Sequence, residues 1–184
     1  MKNKKKKAHL NNTTEYLEHK RKLKNGLMRS VVVLASCCSQ DHSLSLGVLV
    51  LNTGIGNVSK KQVDENIEVV KLKKVCWLDV RGKFKISDLS QGIIYQVVYE
   101  VKLTNGARGW ELPIMLRLSL PDGKFQERQV SLLEKPKGQW IELNVGKFKA
   151  QDTENGEVCF DLYEHGGHWK TGLVIRSAII RPIT

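Results

Sequence analysis

An antiparallel β-sandwich is the fold class this sequence predicts, and three observations predict it. Apolar and polar residues alternate with a period of two from Ile67 onward, turn signals separate the alternating runs, and no segment carries an apolar stripe of helical period and length. Tyr95, Val97, Tyr99, Val101 and Leu103 share one face of a strand, with Gln96, Glu100 and Lys102 on the other, up to an expected break at Asn105-Gly106. Ile114, Leu116, Leu118 and Leu120 alternate with Met115, Arg117 and Ser119 before the turn at Pro121-Asp122-Gly123. Further runs are Val75–Val80, Gln126–Leu133, Trp140–Val145, Val158–Tyr163 and Leu173–Ile180, with turns at Lys135–Gly138 and Asn155-Gly156. About eight short strands at this spacing suit two facing sheets whose inner faces share the apolar residues.

The charge divides the chain. Of the net +11, residues 1–29 carry +8, from ten Lys/Arg against Glu15 and Glu18, so only +3 belongs to everything after them. Three regions follow: a basic tail at 1–29, expected to be disordered; a poorly defined, partly strand-forming segment at 30–65; and the sandwich at 66–184. The tail reads as solvated, with a nuclear-import patch or a weak RNA contact as the sharper alternatives. With 41% hydrophobic residues, the chain has enough apolar surface for a core.

The four cysteines, Cys37, Cys38, Cys76 and Cys159, show no C-x-x-C spacing, which leaves a zinc site or disulfide scaffold unsupported. Cys76 and Cys159 are expected to be small buried hydrophobes; the Cys37-Cys38 pair is either inert or able to crosslink to a partner. The apolar stretch Val31–Ala35 is far shorter than the ~7–15 residues of a secretion signal, and Leu44–Leu51 is too short to span a bilayer. A cytoplasmic protein with no membrane partner is the expectation.

For chemistry, the nucleophile elbow, the phosphate-binding loop and the zinc-binding helix motif are all absent. His165 and His168 lack a third ligand nearby in sequence, and neither a metal nor a cofactor is expected. Glu157 and Glu164 have the residue types of a glycosidase pair, but an odd spacing of seven places them on opposite faces of one strand. The strongest lead is the run Tyr163–Lys170, which combines an acid, two histidines, two glycines and Trp169. An indole stacks on the apolar C–H face of a sugar, and a carboxylate accepts hydrogen bonds from its hydroxyls. Trp169 therefore has two readings, sugar contact or packing across the end of the core. Trp77 and Trp140 are read as packing residues, and Trp110 as undecided.

Several blocks resemble the phloem protein 2 family of plants, related to the Nictaba lectins: Val75-Cys76-Trp77-Leu78-Asp79-Val80-Arg81-Gly82-Lys83-Phe84, Gly109-Trp110-Glu111-Leu112-Pro113, Leu118–Gly123, Gly138–Leu143, and Gly167–Ile175 running on to Ile180-Arg181-Pro182. They keep the same order over about 115 residues, from Asn66 to the end. The resemblance implies a jelly-roll-like sandwich that binds N-acetylglucosamine oligomers and N-glycans without catalysis, found in phloem sieve elements and companion cells. It also implies frequent homodimers and, in some members, RNA transport or defence roles. Carried over by position, Glu157 and Glu164 become the sugar-binding carboxylates, with Trp169 and Lys170 as adjoining contacts.

The resemblance departs at 46–61, where the family's tryptophan-bearing segment is replaced by a run without Trp; none precedes Trp77. Losing an aromatic platform implies sugar affinity about threefold to more than tenfold weaker. The runner-up is accordingly a sugar-deficient phloem structural or RNA/protein-interaction protein acting through the tail and Cys37-Cys38; a glycosidase is the third reading.

Overall fold

A computed structural model describes the backbone at residues 21–22, 28–33, 36–37, 44–45, 48–53, 56–64, 67–151 and 156–183, and side chains at 69–151 and 156–183. The readings placed on residues 1–20 and on Cys38 lie outside the described residues, as do those resting on the Cys37 side chain.

The expected all-β class is observed. Fourteen strands are described: β1 (Arg21–Lys22), β2 (Met28–Val33), β3 (Ser36–Cys37), β4 (Leu44–Ser45), β5 (Val48–Thr53), β6 (Gly56–Asp64), β7 (Ile67–Val75), β8 (Leu78–Lys85), β9 (Ile94–Arg108), β10 (Ile114–Ser119), β11 (Phe125–Val130), β12 (Trp140–Lys149), β13 (Glu157–Glu164) and β14 (Thr171–Pro182). A single 3-10 turn, Ile86–Asp88, follows β8, and no helix among the described residues is long and apolar enough to cross a membrane.

Two antiparallel sheets face each other. The first runs β1-β2-β5-β8-β13-β10-β11, the second β12-β9-β14, with β4-β3 and the β7-β6 pair also joined to β14. The eight strands from β7 to β14 form the sandwich the alternation predicts, and the earlier strands extend both sheets. The expected tail boundary at residue 29 falls inside β2, whose Arg29 pairs with Arg21 of β1.

The alternation sorts side chains as read. Tyr95, Val97, Tyr99, Val101 and Leu103 of β9 face Val80 and Phe84 of β8, Ile114, Leu116 and Leu118 of β10, and Val158, Phe160 and Leu162 of β13, in one buried cluster. Burying each of these large apolar side chains contributes about 1.5–3 kcal/mol. The Tyr99 hydroxyl, wholly buried, donates across the core to the Phe160 carbonyl at 3.1 Å, and burial pushes its pKa well above the ordinary phenol range. Gly82 pairs with Phe160 across β8 and β13; a Cβ there would lie 2.1 Å from the ring, so only glycine leaves room for it.

Two sequence-based expectations about strands are corrected. Asn105-Gly106 does not end its strand: β9 continues to Arg108, which pairs with Thr171 of β14. Val75–Val80 is not one run either. The chain bends at Cys76-Trp77, leaving the second sheet after Val75 and joining the first at Leu78. A second crossing, residues 165–170, carries the chain from β13 back to β14. The two crossings lie side by side, tied by Val75 N–H to the Lys170 carbonyl at 2.9 Å and Lys170 N–H to the Val75 carbonyl at 2.7 Å.

Candidate functional site

The paired crossings form one rim of the sandwich, and a buried ammonium organises it. Lys170 is 0% exposed. Its Nζ donates to the Cys76 carbonyl at 2.6 Å, the His168 carbonyl at 3.0 Å and the Gly166 carbonyl at 3.3 Å, and it forms an ion pair with the Glu164 carboxylate. An ammonium withdrawn from water needs such a set, since an unpaired buried charge costs several kcal/mol. Glu164, 8% exposed, also accepts the Gly166 N–H at 2.7 Å through Oε1. The His168 ring, 3.7 Å from the other carboxylate oxygen, reaches the Gly109 carbonyl at 3.2 Å. Cys76 Sγ donates to the Gly167 carbonyl at 2.8 Å, fixing the loop from the neighbouring crossing.

On this base the loop holds Trp169 outward, 44% exposed, with the Lys74 ammonium 4.7 Å from its ring centroid. Its backbone rests against Gly109, whose φ of +81° suits glycine; a Cβ there would stand 2.0 Å from the Trp169 carbonyl oxygen. In the neighbouring crossing, Trp77 is 43% exposed and lies against His165, ring centroids 4.7 Å apart. His165 in turn stacks on Tyr163 at 5.0 Å and comes within 3.7 Å of Asp79, which Arg81 clamps with two 2.9 Å hydrogen bonds. The Tyr163 hydroxyl donates to Glu127 at 2.9 Å. Beside these groups, burial raises the Asp161 pKa, against the opposing pull of Arg81.

The four site residues expected from the sequence separate. Trp169 stands exposed at the rim, and Glu164 lies buried at the start of the same loop, 44% and 8% exposed. Lys170 is there too, but beneath the loop: a direct ligand contact is corrected to a positioning role, because no part of its side chain reaches solvent. Glu157 is not brought to the site at all. It stands at the opposite end and on the opposite face of β13, about 23 Å away at the rise of an extended strand, where Lys83 holds it with two 2.8 Å hydrogen bonds. Glycosidase carboxylates stand about 5–9.5 Å apart, so these two cannot act as such a pair.

Trp77 is the residue sequence reasoning misplaced. It was expected in the core, yet the parity of its own strand pointed outward: Leu78, Val80 and Phe84 face inward, which puts Trp77 with Asp79 and Arg81. Trp110, left undecided, is 3% exposed and donates through Nε1 to the Thr171 carbonyl at 2.9 Å. Trp140 lies half-buried between Lys102 and Arg176. Cys76 and Cys159, expected to be buried, are both partly exposed. His165 and His168 turn to different partners, and among the described residues no three His, Cys, Asp or Glu side chains group as a metal site.

Fold and rim together define a β-sandwich that displays indoles around a glycine-bearing loop at one end. The chain belongs to the phloem protein 2 family, whose pattern matches residues 55–182. It is 47% identical over 126 residues to phloem protein 2-like A1 of Arabidopsis thaliana, covering 67% of this chain and 51% of that protein. It is 42% identical over 117 residues to a lectin of Luffa acutangula, covering 63% and 56% respectively. The chain thus spans about half the length of these curated relatives. Among solved structures, the CBM22-1 xylan-binding domain from Paenibacillus barcinonensis Xyn10C shares 14% identity over 91% of this chain and 94% of that one, with a TM-score of 0.37.

Proposed function

We propose that this chain is a non-catalytic lectin for N-acetylglucosamine-containing glycans, with Trp169 as its ligand-facing ring and Glu164 as the carboxylate at the foot of the same loop. The single observation that carries the proposal is a half-exposed indole on a rim loop that the buried Glu164–Lys170 pair anchors. An aromatic face open to water loses area when a sugar's C–H face covers it, and stacking adds about 0.5–1.5 kcal/mol beyond that area. Glu164, buried and accepting the Gly166 N–H, acts by holding the shape of the loop that presents the ring. Membership of a family that includes proteins named lectins agrees with this reading. The rim is stitched together by hydrogen bonds from Lys170, Cys76 and Gly166, so little ordering is left to do on binding.

Isothermal titration with a chitin trimer is the test. The wild type should show saturable heat, Trp169→Ala should lower affinity by about threefold to tenfold, and Glu157→Ala should leave it unchanged. A silent wild type overturns the proposal.

A further inference from the structure

Away from the rim, the two sheets come to an edge together. Among the described residues β11 ends the first sheet and β12 ends the second, and a cleft of about 350 Å³ lies between them, lined by residues 126–128 and 144–147. One side chain bridges it. Gln126 Nε2 donates to the Lys147 carbonyl at 2.6 Å, and its Oε1 accepts the Lys147 N–H at 3.2 Å. The amide thus makes the two bonds that the peptide groups of a neighbouring strand would make. Gly146 gives it room, since a Cβ there would stand 2.8 Å from Gln126 Oε1.

These bonds also show how β12 is turned. Lys147 directs both of its backbone groups away from β9, and in an antiparallel ladder every second residue does the same. Lys149 is therefore the next residue to face the edge. Ala150 turns the opposite way: its N–H donates to the Ile93 carbonyl at 3.0 Å, and its carbonyl accepts the Gly92 N–H at 2.8 Å. Lys147 and Lys149 pair with Gln96 and Ile94 at the start of β9, whereas the rim adjoins its end at Arg108.

The edge is cationic. Lys147 and Lys149 are exposed, and Arg128 stands exposed on the face of β11 that carries Gln126. Among the described residues no acid is ion-paired with any of the three. Glu127 turns to the other face of β11, where the Tyr163 hydroxyl donates to it at 2.9 Å and Arg117 lies 3.8 Å away. Lysines on an edge discourage pairing with another basic strand, and the same charges favour a strand with acids opposite them.

We propose that the edge of β12 is a docking site for an extended acidic peptide, which displaces the Gln126 amide, adds to the second sheet as a strand and sets its acids against Lys147, Lys149 and Arg128. This site is separate from the rim and stands without the lectin reading.

Fluorescence anisotropy tests it with a labelled peptide that alternates glutamate and threonine. A second peptide, N-methylated at every other amide, keeps the charge and loses one pairing edge. The wild type should bind the first peptide saturably and the second about tenfold more weakly. The double variant Lys147→Glu, Lys149→Glu should lose about tenfold on the first peptide. Both lysines are exposed, so this variant should fold as the wild type does. Chitin trimer should leave the peptide bound. No saturable binding, equal affinity for the methylated peptide, or an unchanged affinity in the double variant overturns the docking site, as does displacement by the trimer. A protein dimer that the double variant dissociates, with no peptide bound, assigns the edge to a second copy and overturns it as well.

Discussion

Glu157 and Glu164 are the same side chain on the same strand, each paired with a lysine, and almost everything else about them differs. Glu157 and Lys83 meet at the protein surface, half exposed, with water able to replace either partner. Glu164 and Lys170 meet beneath the rim, where the ammonium also carries three backbone carbonyls. An ion pair in water contributes about 0–1 kcal/mol, whereas removing one partner of a buried pair leaves a charge with nowhere to go. What separates the two glutamates is solvent access, and that follows from the turn of the chain just beyond Glu164.

The comparison breaks most sharply at Lys170. Lys170→Met should cost about 3–5 kcal/mol in urea denaturation, since it strands a buried carboxylate and three carbonyls together. Adding Glu164→Leu should then cost less than the sum of the two single changes, because the stranded charge is gone. If Lys170→Met is as stable as the wild type, the buried pair is not the keystone of the rim.

Next in size is Gly109→Ala, which forces a Cβ onto the Trp169 carbonyl at a positive φ. It should destabilise by about 1–3 kcal/mol and weaken sugar binding, as Trp169 must shift. Thermal unfolding and the trimer titration together check this.

At the far end of β13, Glu157→Ala should lower stability by less than about 1 kcal/mol, and 1 M salt should erase most of the difference. A larger loss would mean that the surface pair resembles the buried one.

The smallest effect lies between them. Asp161, on the same outward face as Glu157, has its carboxyl pKa raised first of all by burial. A raised carboxyl pKa means the folded state holds its proton longer. The favourable contribution is complete below the unfolded value of about 3.9 and is lost as pH climbs through the folded-state value. Asp161→Asn cannot titrate, so its stability relative to the wild type should rise as the pH goes from 3 to 7. Urea midpoints across that range would show a flat difference if burial does not act on this carboxyl.

Parity explains both what was legible at the site and what was not. The odd spacing between Glu157 and Glu164 gave opposite faces directly, and β13 bears that out with one residue exposed and the other buried. The resemblance nonetheless grouped both as sugar ligands, because aligned position carries no information about distance along an extended strand. Trp77 shows the converse. Its parity with Asp79 and Arg81 marked it as outward, but neighbouring Val75 and Leu78 made the run look continuously apolar. Only the bend at Cys76-Trp77 resolves that, since Val75 closes one sheet and Leu78 opens the other.

Local pattern alone determined the sandwich itself: alternation over β9, β10 and β13 assigns inner and outer faces residue by residue, because a strand's side chains must alternate whatever its partners are. Tertiary structure decided the rim. A lysine becomes wholly buried, a cysteine ties down a glycine, and Trp77 is laid against His165 only when two chain crossings, from β7 to β8 and from β13 to β14, come to lie against each other. Those contacts join residues about ninety positions apart, beyond the reach of any period in the sequence.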